Sequence, residues 1–582
     1  MTQLAWHKIK SDPKLFALDA LLLTLMAALA ACGLIYQYIL SHYAGRVLGL
    51  FEHAIFAMIG VMIVSMGIGA FVAQIIKRPF AGFAWLELGI ATVGATAILL
   101  IAGALAMVVD FSLTLHQVYG VEPNAPMRGG ILRDMFQLAR LSPFAVGAVI
   151  GVLIGMEIPL IARIRQALYE DHLEHNVGTL YGADYLGAGV GAAIFVAVML
   201  TMPLELAALW TALINVAVGL LFVICFRRYF GKVALLIMAH LLVLAGLAGL
   251  AVHARGWHLA LEDILFDDQV VWSHDTAHQH ITLTRRLPAP GAPVVHDLFI
   301  NGRRQFSAAD EAIYHELLVH PALGAAARQD KVLVIGGGDG LGLREIYKWR
   351  PEQVTLLELD DEIIRLFSQP VTVEDKVINQ PLLALNKGAL TDKRLDIRLG
   401  DAFSTVDDLL AEDRRFDAVI VDLPDPSHPN LNKLYSIAFY RKLRHLLSED
   451  GTLAIQSTSP FHARDAFLTI GRTVEAAGFG SVERLRQVVP SFSEWGWTIA
   501  TVTGASPRQR IRSRPADDWP EMRYATPGLI DAAFEMPAGY TDRAAQLEPN
   551  RMGSHRLYFL HQSAWRNRMG NPALLDTRAP GE

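Results

Sequence analysis

Cysteine is almost missing from this chain. Cys32 and Cys225 are the only two in 582 residues, and both lie inside apolar runs. A disulfide framework and a cysteine-built zinc site are therefore excluded as organising devices. An excess of positive charge is missing too. The net charge is −6, which removes the electrostatic footprint of a nucleic-acid binder. The N-terminus lacks a signal-peptide cleavage pattern, and its first apolar run is long enough to span a bilayer, so it reads as a retained anchor. No internal repeat and no metal-ligand constellation stands out, so neither a metal nor a prosthetic group is expected. His274, His278 and His280 lie in an alternating strand region and read as surface or cleft residues. No Ser-His-Asp or Cys-His arrangement can be argued.

Charged residues make up only 19% of the chain against 52% hydrophobic. That average hides two unlike halves. Up to about Gly256 the chain is a series of long apolar runs, and afterwards polar residues rise to soluble-protein levels. Segments near 15–40, 47–76, 84–109, 138–162, 179–201, 203–226 and 231–253 are long enough to cross a bilayer. Small residues in Tyr181-Gly-Ala-Asp-Tyr-Leu-Gly-Ala-Gly-Val-Gly191 permit close helix packing. Pro159 is expected to kink or end the fourth segment and Pro203 to separate the fifth from the sixth. Ionisable residues inside spans are costly and point to function. Glu52 and Glu205, near span ends, are expected to reach the interface, and Glu87 also lies within a span. Glu157 and Asp184 are expected to face a common polar cavity, the alternative being hydrogen bonds to neighbouring helices.

The second half is organised around Lys331-Val-Leu-Val-Ile-Gly-Gly-Gly-Asp339-Gly-Leu-Gly-Leu-Arg-Glu345. A β-branched apolar run, a glycine cluster and a helical pattern read as strand, tight turn and helix, the opening unit of a nucleotide-binding sheet. Glycines such as Gly337 let the backbone approach a ligand that a Cβ would block. Asp339 inside the turn would repel a phosphate and suits a cationic ligand. Glu358 ends the next strand at the distance expected of a ribose hydroxyl acceptor. The inferred ligand is an adenosyl sulfonium compound. Strands are expected near 331–335, 354–359, 395–399, 416–422 and 452–456, separated by helices. That alternation predicts a mostly parallel, doubly wound Rossmann-like sheet with ligands beyond the strands' carboxyl ends.

Ahead of it, alternating runs at 269–272, 280–284 and 294–300 form a small β-rich lead-in, with Asn301-Gly302 as a hairpin turn. A helix from Ala309 to Val319 should end at Pro321. The fold expected is thus a multi-span helical membrane domain (1–256), the lead-in (257–320), the Rossmann-like domain (321–504) and a Pro- and Arg-rich, weakly helical extension (505–582).

The sharpest chemical element is Phe416-Asp-Ala-Val-Ile-Val-Asp422-Leu-Pro-Asp425-Pro-Ser427. Two carboxylates at a pocket mouth suit an amine: one holds an ammonium and the other takes a proton from an attacking nitrogen. An Asx-type turn after a strand is the bland alternative. Gly400-Asp401-Ala402 fits both an adenine amino-group acceptor and a helix N-cap. Gln305, Asp310, Glu311, Tyr314, His315 and Glu316 form a polar cluster whose bland explanation is a solvated helix face.

Together these stretches, with Gln279-His-Ile281, Leu298 through Gln305, Asp310 through Glu316, Tyr435 with Phe439-Tyr440, and Pro490 through Trp497, resemble the spermidine synthase (polyamine aminopropyltransferase) family over about 265–503. The whole chain resembles the bacterial subgroup with a multi-pass membrane region. The resemblance implies an enzyme with Asp422 as catalytic base and Asp425 as substrate-amine ligand. Asp339 would hold the aminopropyl ammonium of the cosubstrate, decarboxylated S-adenosylmethionine. Glu358 would bind its ribose, Asp401 with Ala402 its adenine, and Gly337 its approach to the turn. Gln279, Gln305, Tyr314, His315 and Tyr435 would line the pocket. The acceptor would be a polyamine such as putrescine, giving spermidine and methylthioadenosine. The expected partners are these small molecules and membrane lipid, in a homo-oligomer. The chain departs from the family pattern at Asn301, Leu341 and the Ser-His-Pro-Asn that follows Asp425-Pro, which leaves the amine open. An S-adenosylmethionine methyltransferase and a membrane polyamine transporter or sensor remain as alternatives.

Orientation is in conflict. Lys8, Lys10, Lys14, Lys77, Arg78, Arg163, Arg165, Arg227, Arg228 and Lys232 favour a cytoplasmic N-terminus, and seven spans then put the C-terminal half outside. A soluble adenosyl cosubstrate belongs in the cytoplasm, so the catalytic domain is expected there, below the inner cell membrane.

Overall fold

Backbone polar groups removed from water must bond within their own segment, and a helix does this for any long apolar run. The structure, a computed structural model, describes residues 13–48, 51–119, 131–169, 176–266, 268–276, 278–373 and 375–566. Lys8 and Lys10, and the side chains of Lys14 and Glu52, lie outside the described part. The chain forms two compact units, Met1–Ala277 and His278–Glu582.

The first unit holds α1 (Pro13–Leu48), α2 (Phe51–Val72), α3 (Pro79–Tyr119), α4 (Ile131–Arg140), α5 (Ser142–Gly155), α6 (Glu157–Tyr169), α7 (Asn176–Ala197), α8 (Leu204–Cys225), α9 (Val233–Phe266) and strand β1 (Gln269–Asp275). Among the described residues, seven stretches are long and apolar enough to cross a membrane, the last being Val233–Phe266. That helix passes the expected boundary at 256 without a break. The fourth stretch breaks at Met156, between α5 and α6, so that Pro159 falls in the first turn of α6, where its missing N–H costs nothing. Pro203 caps α8. Small residues set the packing as the sequence implies. A Cβ on Gly187 would lie 2.0 Å from the Ala27 carbonyl oxygen, so α7 lies backbone to backbone on α1. Glu205 departs from expectation. It is 3% exposed and bonded to Arg255 at 3.2 Å and to His258 Nδ1 at 3.2 Å. Arg255 and His258 on α9 meet its carboxylate inside the fold, so its burial leaves no unpaired charge.

The second unit continues with β2 (His280–Arg286), β3 (Val295–Ile300), β4 (Arg303–Ser307), α10 (Glu311–Ala325), β5 (Lys331–Gly336), α11 (Leu341–Tyr347), β6 (Gln353–Glu358) and α12 (Asp361–Ser368). The short pair β7 (Thr372–Val373) and β8 (Lys376–Val377) follows, then α13 (Gln380–Leu385), β9 (Leu395–Leu399), α14 (Ala402–Ala411), β10 (Phe416–Asp422), α15 (Ile437–Leu446), β11 (Leu447–Gln456) and α16 (Arg464–Ala476). Strands β12 (Ser481–Val489) and β13 (Ser493–Thr501) precede α17 (Pro507–Ser513), α18 (Pro527–Ala533) and α19 (Arg556–Arg566). Asn301 and Gly302 both take positive φ, 51° and 74°, as the turn joining β3 to β4 requires.

The main sheet has the order β12-β13-β11-β10-β5-β6-β9. From β11 to β9 every pairing is parallel, and β13 and β12 add an antiparallel edge. The sheet is therefore mixed. A hairpin of long, half-polar strands has no period-2 contrast that separates it from loop. The helix expected to stop before Pro321 instead carries that proline inside it. Its last-turn carbonyls accept side-chain bonds: Thr452 Oγ1 donates to Ala322 O at 3.0 Å and Arg514 Nε to Gly324 O at 2.7 Å.

Candidate active site

Parallel strands that diverge from a shared edge leave a crevice beyond their carboxyl ends. Here β5 and β10 flank that crevice, and their register pairs Gly336 with Asp422. The turn after β5 needs its glycines. Gly336 and Gly337 have φ of +77° and +71°, and a Cβ on Gly336 would sit 2.1 Å from the Asp422 carbonyl oxygen. At Gly337 a Cβ would meet the Asp422 carboxylate at 3.2 Å, and at Gly338 it would meet Glu358 Oε2 at 2.7 Å. Three strand ends are thus packed around one bare backbone turn.

Asp422 Oδ1 accepts the Tyr314 hydroxyl at 2.6 Å. Burial pushes the Asp422 carboxyl up to about 6; the His315 charge pulls it down, Asp339 pushes it up and Tyr314 pulls it down. Asp339 accepts the Leu341 N–H at 2.9 Å, and burial raises its carboxyl against the pull of His315. Glu358 accepts three backbone N–H groups, from Gly338 at 3.0 Å, Leu359 at 2.8 Å and Asp360 at 3.1 Å. Burial still takes it to about 7. Asp401 caps α14 through the Phe403 N–H at 2.8 Å, and its other oxygen pairs with Lys433. Burial raises its carboxyl, but Lys433 and the cap outweigh that and leave it lowered. Ala402 is the first residue of α14, half-buried behind the cap.

The polar face of α10 is not solvated. Glu311, Tyr314, His315 and Glu316 are all buried, because each has a partner inside the fold. Glu311 takes both ends of the Arg344 guanidinium at 3.1 and 2.8 Å and His315 Nδ1 at 3.1 Å. Burial raises Glu311, but His315 and Arg344 overcome it and hold it at about 2. Burial lowers His315, yet its bond to Glu311 and the charge of Asp339 take it up to about 9. A cation is thereby fixed behind two acidic groups of the crevice. Tyr314 stands within an aromatic wall of Phe492, Trp495 and Trp497, at 6.2, 6.5 and 5.8 Å between ring centroids.

Asp425 lies beyond β10 and is gripped from three directions. His561 Nε2 is 3.0 Å from Oδ2, Thr458 Oγ1 donates to Oδ2 at 3.2 Å, and Gln456 Nε2 approaches Oδ1 at 3.4 Å. Gln456 also donates to the Tyr435 hydroxyl at 2.7 Å, and that hydroxyl donates to Pro424 O at 2.8 Å. Tyr435 therefore fixes the proline loop. Gln305 donates to Arg303 O at 3.2 Å, and Gln279 is half-buried directly ahead of β2. Gln456, Thr458 and His561 escape the sequence reading. Their only signal is polarity in apolar surroundings, at separations of up to 136 residues from Asp425.

One three-ligand grouping occurs among the described residues, Glu316, His320 and Glu345. Its atoms are already engaged. Glu316 accepts the N–H groups of Arg523, Tyr524 and Ala525 at 2.6, 2.9 and 2.7 Å. His320 bonds Glu345 at 3.0 Å and accepts Trp349 Nε1 at 2.9 Å. It is a structural clasp, and it binds the 523–525 stretch to α10.

The sequence profile of the spermine/spermidine synthase domain matches residues 311–510. A polyamine aminopropyltransferase of Shewanella oneidensis is 48% identical, covering 95% of this chain and 96% of its own. Polyamine aminopropyltransferase 1 of Streptomyces coelicolor is 34% identical over 94% of this chain and 95% of its own. A crystal structure of spermidine synthase in complex with the transition-state analogue AdoDATO matches at 24% identity and a TM-score of 0.39, over 48% of this chain and 89% of that one.

Proposed function

Because this chain belongs to the polyamine aminopropyltransferase family, we propose that it moves the aminopropyl group of decarboxylated S-adenosylmethionine to a linear polyamine such as putrescine. Spermidine and methylthioadenosine are then the products. The observation that supports this reading best is the pairing of Gly336 with Asp422. It brings a bare backbone turn and a buried carboxylate held at about 6 against one another.

The reaction is a direct displacement. The amine lone pair forms a bond to the aminopropyl carbon next to sulfur, the carbon–sulfur bond breaks, and its electron pair stays on sulfur. The sulfonium leaves as a neutral thioether, so no acid is needed for the leaving group. The attacking nitrogen becomes cationic and loses one proton, which the Asp422 carboxylate takes before passing it to solvent. Most of the remaining acceleration comes from holding nitrogen, carbon and sulfur in line.

Asp339 pairs the donor's ammonium, and Glu358 and Asp401 serve its ribose and adenine. Asp401 has both oxygens engaged, but a carboxylate has lone pairs left for one more donor. Asp425, oriented by Thr458, Gln456 and His561, holds the far ammonium of the acceptor, with Gln279, Gln305 and Tyr435 around it. The helical unit sits in the cell membrane with the catalytic unit on its cytoplasmic side, where the donor is soluble. The test is mass spectrometry of products from decarboxylated S-adenosylmethionine and a panel of linear amines. Methylthioadenosine formed in step with one aminopropylated amine supports the reading. A methylated product from S-adenosylmethionine would replace it.

A further inference from the structure

The helical unit has an interior of its own that catalysis does not use. His240 of α9 is 0% exposed. Its Nδ1 lies 2.8 Å from Leu236 O. A carbonyl only accepts, so Nδ1 carries the hydrogen and Nε2 of the neutral ring presents a lone pair. Nε2 has no hydrogen-bond partner. It points at α8, where a Cβ on Gly219 would lie 2.6 Å from it and 3.1 Å from Glu87 Cβ. Glu87 of α3, 0% exposed, accepts Asn215 Nδ2 at 3.0 Å on Oε2. That leaves Glu87 Oε1 and Asn215 Oδ1 buried without partners. Glu157, at the start of α6, is 1% exposed and has neither oxygen bonded. The charges of Glu87 and Glu157 reach one another and the Tyr36 hydroxyl of α1, and that hydroxyl is also unpartnered.

The unmet groups are nearly all of one kind. With both carboxyls ionised, Glu87 Oε1, both Glu157 oxygens, Asn215 Oδ1 and His240 Nε2 accept. Two carboxylates without a cation are costly in a dry interior. The group that answers them carries positive charge and several N–H donors, which describes an ammonium. A metal ion would need its ligand atoms in one tight sphere. Glu316, His320 and Glu345 form the one such grouping among the described residues, so the atoms of Glu87, Glu157 and His240 are more widely spread. Spread acceptors in apolar surroundings fit an elongated cation. Asp184, which the sequence pairs with Glu157, is only half-buried.

We propose that the interior of the helical unit binds a linear alkyl diammonium, one end on Glu87, Asn215 and His240 and the other on Glu157. The site is separate from the crevice at β5 and β10, and the proposal does not depend on the reaction assigned there. The test is equilibrium dialysis of radiolabelled 1,4-diaminobutane against the full-length protein in detergent, with the wild type, Glu87→Gln, Glu157→Gln and Gly219→Ala compared. In the wild type a diamine equivalent binds that both Gln variants weaken about 10- to 100-fold, the loss expected for a charged hydrogen bond. Product formation by the catalytic unit is unchanged in the same samples, so failure of this proposal and failure of the catalytic reading give different patterns. n-Butylamine binds that equivalent at least tenfold more weakly than the diamine. Should a Gln variant fail to fold, Gly219→Ala decides, because its methyl group closes on His240 without removing a charge. Diamine binding identical in wild type and folded variants would overturn the proposal, as would displacement of the diamine by magnesium chloride at equal concentration.

Discussion

Asp422 is held between opposing influences. Burial and Asp339 favour its neutral form, while His315 and Tyr314 favour the carboxylate. A base must be ionised to accept a proton, so turnover should rise with pH through about 6 and level off above it. A pH–rate profile under saturating substrates measures this directly. Asp422→Asn should cost about 10²–10⁴-fold in kcat with the donor's Kd unchanged by calorimetry; near-normal turnover would remove it as the base. His561 lies 3.0 Å from Asp425, the residue proposed to hold the acceptor. We expect His561→Ala to raise KM for the amine roughly tenfold, the worth of a hydrogen bond to a charged group, while KM for the donor stays put. An equal rise in both would show that His561 only supports the fold. Asp422 and Asp425 are legible in sequence because they share one short motif. His561 is not, because its partner is remote in the chain and a lone histidine on a helix has no local signature.

The turn after β5 and helix α10 do the positioning. Gly338 faces Glu358, so Gly338→Ala should push that carboxylate off its backbone N–H bonds. The expected cost is about 1 kcal/mol or more of donor binding, roughly fivefold, with melting behaviour close to wild type. Titration of the donor into both proteins checks it. On α10, Glu316 gathers three consecutive N–H groups of the 523–525 stretch. Glu316→Ala leaves the buried Ala525 N–H unmet and frees the half-covered N–H groups of Arg523 and Tyr524, which should destabilise the second unit by about 1–3 kcal/mol. Thermal melting and faster proteolysis after Arg514 would report it. The existence of α10 follows from its apolar spacing. Its passage through Pro321 and the burial of its acidic face do not, since the first has Thr452 of β11 and Arg514 on its last-turn carbonyls and the second has Arg344 of α11 and the 523–525 stretch on its carboxylates.

At the scale of the molecule, two arguments oppose one another over the side of the membrane proposed for the second unit. Basic residues favour a cytoplasmic N-terminus, and if all seven candidate helices crossed, the second unit would lie outside. Supply of a soluble donor argues the reverse. A C-terminal green fluorescent protein fusion should fluoresce in cells and a C-terminal alkaline phosphatase fusion should be inactive. The opposite pair of results would put the catalytic unit outside and return the orientation to the charge count. Much of this protein was determined by local sequence alone. Unbroken apolar length makes helices in any apolar setting, and the Gly-Gly-Gly-Asp turn and the Asp422 motif carry their chemistry within a few residues. The seven long apolar helices among the described residues, the parallel strands and the gathering of carboxylates at the strand ends were therefore readable in advance. Only tertiary structure decided what those groups meet. Glu205 is buried against α9, the edge of the sheet is antiparallel, His561 comes back to Asp425, and Glu87, Asn215 and His240 converge from three helices. The physical reason is the same in each case: burial of a polar group is settled by partners far away in the chain, and no local pattern encodes who those partners are.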